Sequence, residues 1–510
     1  MDAAVVIGAN DGATEGPWAL PEGWCWVPLG KLGTWTGGGT PSKANAAFWT
    51  GGNVPWVSPK DMKVEIIGET EDKITAEAVE GSSAKYVSQG SVLMVMRSGI
   101  LKHSFPVAIT DRIVTLNQDL RALTPHDGIC PKFVVRYLAL AANRVLNECS
   151  KDGTTVDSIE VAALERLSVP LSPLAEQRRI VARVDELFAE IAEGEVALAA
   201  ARQGLDTFRS ALLKAAVTGE LTKDWRAANK VSENGHDLLA RITKNHVNRD
   251  GRAGRVTASV APLNTSILPQ LPSGWDWAAL GLIAGSVRNG TSAAPHATSN
   301  QHEILRISAV RSLRIDETQI RFLDDDQAKA AAAATVEAGD LLFTRYNGSA
   351  DLVGVGAIYR GPRRFYPDKV IRVRLEPALS LLAEFVELAV NTGASRKHIA
   401  ANIKTTAGQQ GLSGESLKAT PIPIPPPAEA AEIVRRVSDA FTAFADTLAM
   451  LDAEAADAER LKQSILKAAF EGRLVGQNLA DESASAPLAR VATDPTAARA
   501  KRGRVRKSSV

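Results

Sequence analysis

Along two stretches of the chain, apolar residues recur at alternating spacings of three and four. The first runs through Val184, Leu187, Ile191, Leu198, Leu205, Phe208 and Leu212. The second runs through Val437, Ala440, Phe444, Leu451, Ala458, Leu461 and Ile465. Held over about four heptads, this spacing predicts a helix whose apolar strip is a coiled-coil seam. Pro170 and Pro173 stand before the first helix and Pro425 to Pro427 before the second, and proline is tolerated only up to the first helical turn. Gly219 and Gly472 stand where a C-terminal stop belongs. Each helix of about 40 residues spans roughly 60 Å. A helix of that length overhangs a single small domain, so packing on its own domain alone would leave much of the strip bare. The other helix, carrying the same strip, offers the cover, and two copies related by pseudo-twofold symmetry pair antiparallel.

The helices belong to a longer internal repeat. "LPEGWCWVPLG" at Leu20 is answered by "LPSGWDWAALG" at Leu271, and "GSVLMVMRSG" at Gly90 by "GDLLFTRYNG" at Gly339. "LSVPLSPLAEQRRIVARV" at Leu167 is answered by "TPIPIPPPAEAAEIVRRV" at Thr420, and "LLKAAVTGEL" at Leu212 by "ILKAAFEGRL" at Ile465. Each copy reads as a globular part, a proline stop and a long helix. The globular parts carry short β-rich runs ("VPWVS", "SVLMVM", "FPVAIT"; "DLLFTRY", "GVGAIYR", "VIRVRLEP") among helical patterns such as "PKFVVRYLALAANRVL" and "LLAEFVELAVNTG". The expected fold class is α+β. Two globular domains, 1–173 and 271–426, flank an antiparallel coiled coil of two long helices, 174–222 and 427–475. Residues 223–270 read as a polar linker, and 476–510 as a basic, disordered tail ending "RAKRGRVRKSSV".

Composition narrows the class without naming it. At 510 residues, 45% hydrophobic and 23% charged, the chain is long enough for several structural units of ordinary globular type. Net charge is +1, so any polyanion-binding surface must be local. Cys25, Cys130 and Cys149 are few and far apart, which argues against disulfides or a zinc site and for a reducing, cytoplasmic setting. "MDAAVVIGANDGATEG" lacks the form of a signal peptide, and no apolar run is long enough to cross a membrane.

A search for catalytic chemistry ends without a constellation. There is no phosphate-binding G-x-x-x-x-G-K-[ST], no H-E-x-x-H and no Asn-Pro-Pro-aromatic methyltransferase signature. Pro59, Asp61, Glu71 and Lys73 fit a nuclease carboxylate–lysine pattern only loosely and read better as solvated loop charges. No metal site and no bound cofactor are expected. What the sequence offers is contact chemistry for a polyanion. Arg363, Arg364, Arg372 and Arg374 crowd one segment, Arg372 and Arg374 alternating toward one strand face. Arg288, Asn289, Arg306, Arg345 and Asn347 lie in or beside turns of the second copy, and Lys43, Asn53, Lys60, Arg97, Lys102 and Gln118 in or beside turns of the first. Arginine, asparagine and glutamine can read guanine and adenine edges. The same residues also serve as ordinary turn and surface positions.

The duplicated motifs, in their order, resemble the specificity subunit of type I restriction-modification enzymes over residues about 20–222 and 271–475. The resemblance implies two target-recognition domains, each reading one half of a split double-stranded DNA target, with the helix pair setting the unread spacer. It implies a non-catalytic chain that recruits two modification (methyltransferase) subunits and also restriction subunits, with S-adenosylmethionine, ATP and Mg held by those partners. Two readings outside it are a DNA-binding scaffold for another enzyme and a coiled-coil adaptor with no DNA role. The copies differ: Ala430 replaces Gln177, removing a polar contact or a symmetric docking point, and "VRNGTSAAPH" replaces the "GGGTPS" loop. An asymmetric target is therefore expected.

Overall fold

The computed structural model describes residues 16–151, 157–250, 263–406 and 409–493. The chain divides into two compact units, and the division runs through both long helices. One unit takes the described residues of Met1–Leu198 and Asp452–Val510, the other those of Ala199–Leu451. The expected boundaries at 173 and 426 are therefore not where the packing divides. Each unit holds one globular part, the start of the long helix that follows it, and the end of the other long helix.

The first unit is built on a five-stranded sheet in the order Gly33–Gly37, Leu120–Pro125, Val92–Val95, Val107–Thr110, Ile66–Ile67. Val92–Val95 is buried throughout, because the sheet covers its flanks and the helix Pro131–Leu140 covers a face. Leu174–Thr218 is the first long helix. Its early residues Ile180, Val181 and Val184 join this core, together with Ile465, Leu466, Ala469 and Phe470 from the end of the second. The Phe470 ring lies 4.9 Å from that of Phe133 and 5.2 Å from that of Tyr137.

The second unit repeats the plan. Its four-stranded antiparallel sheet runs Ala284–Asn289, Val370–Leu375, Leu341–Thr344, Gly356–Ile358. The second long helix, Pro427–Phe470, contributes Ala430, Ile433 and Val437, and the end of the first contributes Leu212, Ala216 and Val217. Both helix ends stop at a left-handed glycine, Gly219 (φ 74°) and Gly472 (φ 71°). A Cβ there would lie 2.6 Å from Pro272 in one unit and 2.2 Å from Pro21 in the other, so close approach demands glycine as well as the backbone angle.

Within each unit the two helical segments run antiparallel. In the second unit Arg202 bonds the Leu451 carbonyl at 3.3 Å, Phe208 faces Phe444 at 5.5 Å, and the Arg209 guanidinium lies 5.0 Å from the Phe441 ring. Numbers rise on one helix as they fall on the other. In the first unit Lys462 donates to Glu195 at 2.6 Å. Of the expected seam, Val184, Leu212, Val437 and Ile465 are buried, and Leu187, Ile191, Leu198, Leu205, Phe444 and Leu451 are half-buried. Phe208 and Leu461 stay 57% and 51% exposed. The inward strip follows Ala455, Ala458 and Lys462, so the lysine takes the position that spacing alone gives to Leu461.

Residues 223–250 correct the linker reading. They form the helices Lys223–Ala228 and Gly235–Asp250, and Leu238, Leu239 and Ile242 are buried in the second core. The described part of the tail likewise holds the helix Ser485–Thr493, whose Leu488 packs on the first core. The terminal basic run lies outside the described residues. These segments extend the repeat. Gly235 N donates to Gly274 O at 2.7 Å and Ala484 N to Gly23 O at 3.0 Å, while Arg241 pairs with Glu233 and Arg490 with Glu482, each at 2.9 Å.

Candidate nucleic-acid interface

In each unit, one end of the main sheet gathers side chains from distant parts of the sequence. In the second unit this end is formed where Ala284–Asn289 finishes, Val370–Leu375 begins and Leu341–Thr344 finishes. The register pairs Asn289 with Ile371 and Thr344 with Val370. Arg345 N donates to Lys369 O at 2.8 Å, and Gly290 N to Val370 O at 3.4 Å. This brings Arg288, Asn289, Arg345, Asn347 and Lys369 to one rim. Arg288, Asn289 and Lys369 are exposed. Arg345 stacks 4.7 Å from the Tyr346 ring, and its buried Nε has no partner among the described residues.

The first unit builds the equivalent rim from Gly37 to Thr40, Asn117 to Leu120 and the residues after Val95. Gly38 N donates to Leu120 O at 3.4 Å and Gly39 N to Leu116 O at 2.8 Å. Gln118 accepts a hydrogen bond from Thr40, and Arg97 pairs with Asp119 at 2.8 Å. Lys102 is exposed on the short turn Gly99–Lys102 that follows. Lys43 and Asn53 are exposed in the loop and strand start beyond Thr40, without a described polar side-chain partner. Lys60 sits apart, 3.0 Å from both Glu71 and Asp72. These carboxylates, Asp72 foremost, raise its pKa.

Several other sequence candidates are engaged by partners within the protein. Arg372 is buried, donates to Thr335 O at 2.6 Å and lies 6.0 Å from the Tyr366 ring. Arg374 makes a bidentate pair with Asp340 at 2.6 and 2.7 Å, and that carboxylate raises its pKa. Arg364 bridges Glu303 at 2.5 Å and Glu317 at 2.8 Å. The strand face inferred from the Arg372/Arg374 alternation is thus a packed one, its charges spent on protein partners. Arg363 is exposed and reaches Glu337 at 3.9 Å, and Arg306 is exposed just past the strand Glu303–Leu305 of a different sheet. Neither lies on the rim.

Sequence reasoning missed a hairpin that extends each rim. In the first unit Ser150–Lys151 pairs with Ser158–Ile159, and Ile159 N donates to Met96 O at 2.8 Å. In the second, Lys404–Thr406 pairs with Gln409–Gly411, and Leu412 N donates to Arg345 O at 2.9 Å. The signal was present as a repeated Lys in "CSKDG" and "NIKTT", too short to carry weight alone.

A matched clamp fixes each long helix to its domain. Glu176 and Glu429 lie in the first helical turns, where the helix dipole favours a carboxylate. Each accepts from an indole: Trp24 to Glu176 at 3.0 Å, and Trp275 to Glu429 at 2.9 Å. Glu429 also accepts from Thr222 at 2.7 Å and pairs with Arg226 at 2.9 Å. Glu176 is 2% exposed, its Oε1 has no partner among the described residues, and burial pushes its carboxyl pKa up. Gln177, 1% exposed, donates to Ser172 O at 2.8 Å and accepts from Cys130 N at 2.8 Å. It is therefore an internal stitch with no surface for docking, and buried Ala430 fills its place in the other unit.

Among the described residues no cluster of three His, Cys, Asp or Glu side chains could hold a metal, and no helix is long and apolar enough to cross a membrane. Residues 21–197 match the family described as the type I restriction modification DNA specificity domain. Over 506 residues the chain is 29% identical to the EcoKI specificity subunit of Escherichia coli (strain K12), covering 96% of this chain and 99% of that one. It is 40% identical over 161 residues to the EcoR124I/EcoR124II specificity subunit of Escherichia coli (32% and 40% covered). The StySPI specificity subunit of Salmonella potsdam is 26% identical over 468 residues (90% of each). A solved chain from a study of complex assembly and conformational transition of the type I R-M system shares the fold. Its TM-score is 0.60 at 17% identity, over 90% of this chain and 100% of that one.

Proposed function

Since the chain belongs to the specificity subunits of type I restriction-modification enzymes, we propose that each of its two sheet rims meets one half of a bipartite DNA target. DNA sequence recognition within such a complex is the chain's role. The finer reading rests on one observation: the same rim is built twice, from the same strands in the same order, with different side chains. Arg97, Gln118 and Lys102 stand on one, and Arg288, Asn289, Arg345 and Asn347 on the other. Two rims of unlike chemistry fit an asymmetric target. Exposed cations on the rims would neutralise phosphates, and the amides and guanidinium groups would reach base edges.

Catalysis in this reading belongs to partner subunits. Two methyltransferase subunits would bind S-adenosylmethionine and modify adenine, and restriction subunits would use ATP and Mg. Apolar side chains left exposed on the long helices would supply a docking surface in each unit. They are Val196 (70%) and Leu461 (51%) in one, and Phe208 (57%) and Met450 (69%) in the other. One surface per unit supports two methyltransferase copies for each chain.

The paired helices would set the unread spacer. The test is to add one heptad to each, at Ala199–Ala201 and opposite at Asp452–Ala455, and to sequence the methylated genome of cells carrying the chain with its methyltransferase. The expected result is an altered or abolished spacer with both half-sites unchanged. Altered half-sites with an unaltered spacer would assign the roles of helix and domain the other way round. A purified complex without salt-dependent affinity for DNA would reject the reading as a whole.

A further inference from the structure

The hairpin of the second unit is part of a three-stranded ribbon, ordered Tyr346–Asn347, Gln409–Gly411, Lys404–Thr406. Its register aligns two rows across the strands. One is Tyr346, Gly411 and Lys404, and the other is Asn347, Gln410 and Thr405. Directly opposed residues of antiparallel strands project to the same face, so each row lies on one side of the ribbon.

The two sides are not equivalent. On the first, the Tyr346 ring lies against Gly411 so closely that a Cβ there would meet Cε1 at 2.5 Å. Arg345 stacks on that ring and donates to Asp368 O at 3.4 Å. On that side Tyr346 and Arg345 cover Gly411, while Lys404 stands exposed at the edge. On the second, the amide of Gln410 and the hydroxyl of Thr405 have no hydrogen-bond partner among the described residues. Asn347 uses its Oδ1 to accept from Ser349 N at 3.1 Å and keeps its NH2. An amide, a second amide and a hydroxyl thus stand in line, on the rim that also carries the exposed cations Lys369 and Arg288.

We propose that the row Asn347–Gln410–Thr405 is a base-reading edge, with Gln410 its central specificity residue. The inference rests on the DNA-recognition reading above and names the side chains that carry it in the second unit. A carboxamide can bond adenine N6 and N7 together, and a β-ribbon fits the major groove, which is about 12 Å wide. Asn347 beside it and Thr405 beyond would fix its approach. The corresponding hairpin of the first unit bridges Arg97 to Ser158, which places Ser98 and Asp157 where the second unit has Asn347 and Gln410. A carboxylate accepts where a carboxamide both donates and accepts, so the two ribbons would read different bases.

The test uses the full chain in complex with its methyltransferase subunits. Binding is measured on duplexes carrying the wild-type target and each single base-pair substitution, alongside genome methylation. With Gln410→Ala, discrimination at one position of one half-site should fall by roughly 10- to 100-fold, the other half-site being read as before. Gln410→Glu removes the donor and should shift preference at that same position toward cytosine. Unchanged discrimination in both variants overturns the proposal. So does a uniform loss of affinity on every duplex from an intact complex, which would make the ribbon a support. A wild-type complex with no sequence preference would defeat the DNA-recognition reading instead.

Discussion

Glu176 and Glu429 occupy the equivalent turn of the equivalent helix in the two units, and each accepts a hydrogen bond from the equivalent tryptophan, Trp24 or Trp275. Beyond that they part. Glu429 is saturated by Thr222, Arg226 and Trp275, two of which come from the segment that follows the other long helix. Glu176 keeps one described partner and a buried oxygen without any. The stitching has moved to its neighbours: Gln177 ties three backbone groups, and Arg179 pairs with Asp481 at 2.8 Å. After duplication a structural joint can therefore redistribute its bonds, provided the helix start stays pinned. What it cannot do without cost is leave a charge buried and unmatched.

The largest effect should come from breaking the saturated joint. Glu429→Ala strands the Trp275 indole, the Thr222 hydroxyl and the Arg226 guanidinium together. It should destabilise the second unit by about 3–5 kcal/mol in chemical unfolding. A loss comparable to that of Glu176→Ala would erase the distinction between the joints.

A second, smaller effect separates them by sign. Burial raises the Glu176 carboxyl pKa, so the folded first unit holds this proton more tightly than the unfolded chain does. Its contribution is most favourable below the unfolded value of about 4.3 and is lost as pH climbs above it through the raised folded value. Glu176→Gln should flatten that part of the stability–pH profile and be neutral or stabilising at pH 7. Destabilisation at pH 7 would show that the charge is matched after all.

The smallest change would make the joints alike. Thr222 follows "GEL" and Val475 follows "GRL" at the equivalent place. Val475→Thr offers Glu176 the hydroxyl that Glu429 already has, and should raise first-unit stability by about 1 kcal/mol in the same unfolding assay. No gain, or a loss, would mean that the second helix end does not present its side chain as the first does.

The sequence made the architecture readable where physics is local. Val184, Leu212, Val437 and Ile465 are buried as their spacing requires, and the proline and glycine stops sit at the helix ends. Leu461 failed because the inward turn of Lys462 depends on Glu195, far away in the chain. The helix Gly235–Asp250 was hidden because its apolar stripe, Leu238, Leu239 and Ile242, is set in otherwise polar sequence. The candidate rim was legible by residue type and illegible by position. Arg288, Arg345 and Lys369 meet only through strand register, whereas Arg372 and Arg374, which alternate so plainly, are consumed by Thr335, Asp340 and Glu337.

The ion pair between Lys462 and Glu195 bears on more than stability. Around it the facing strip is apolar, with Ile191 and Leu198 on one helix and Ala455, Ala458 and Ile465 on the other, and such a strip by itself distinguishes neighbouring alignments poorly. A slipped alignment would separate ammonium from carboxylate and leave both partly shielded from water. The pair thus acts as a detent, holding one alignment of the two helices against its neighbours.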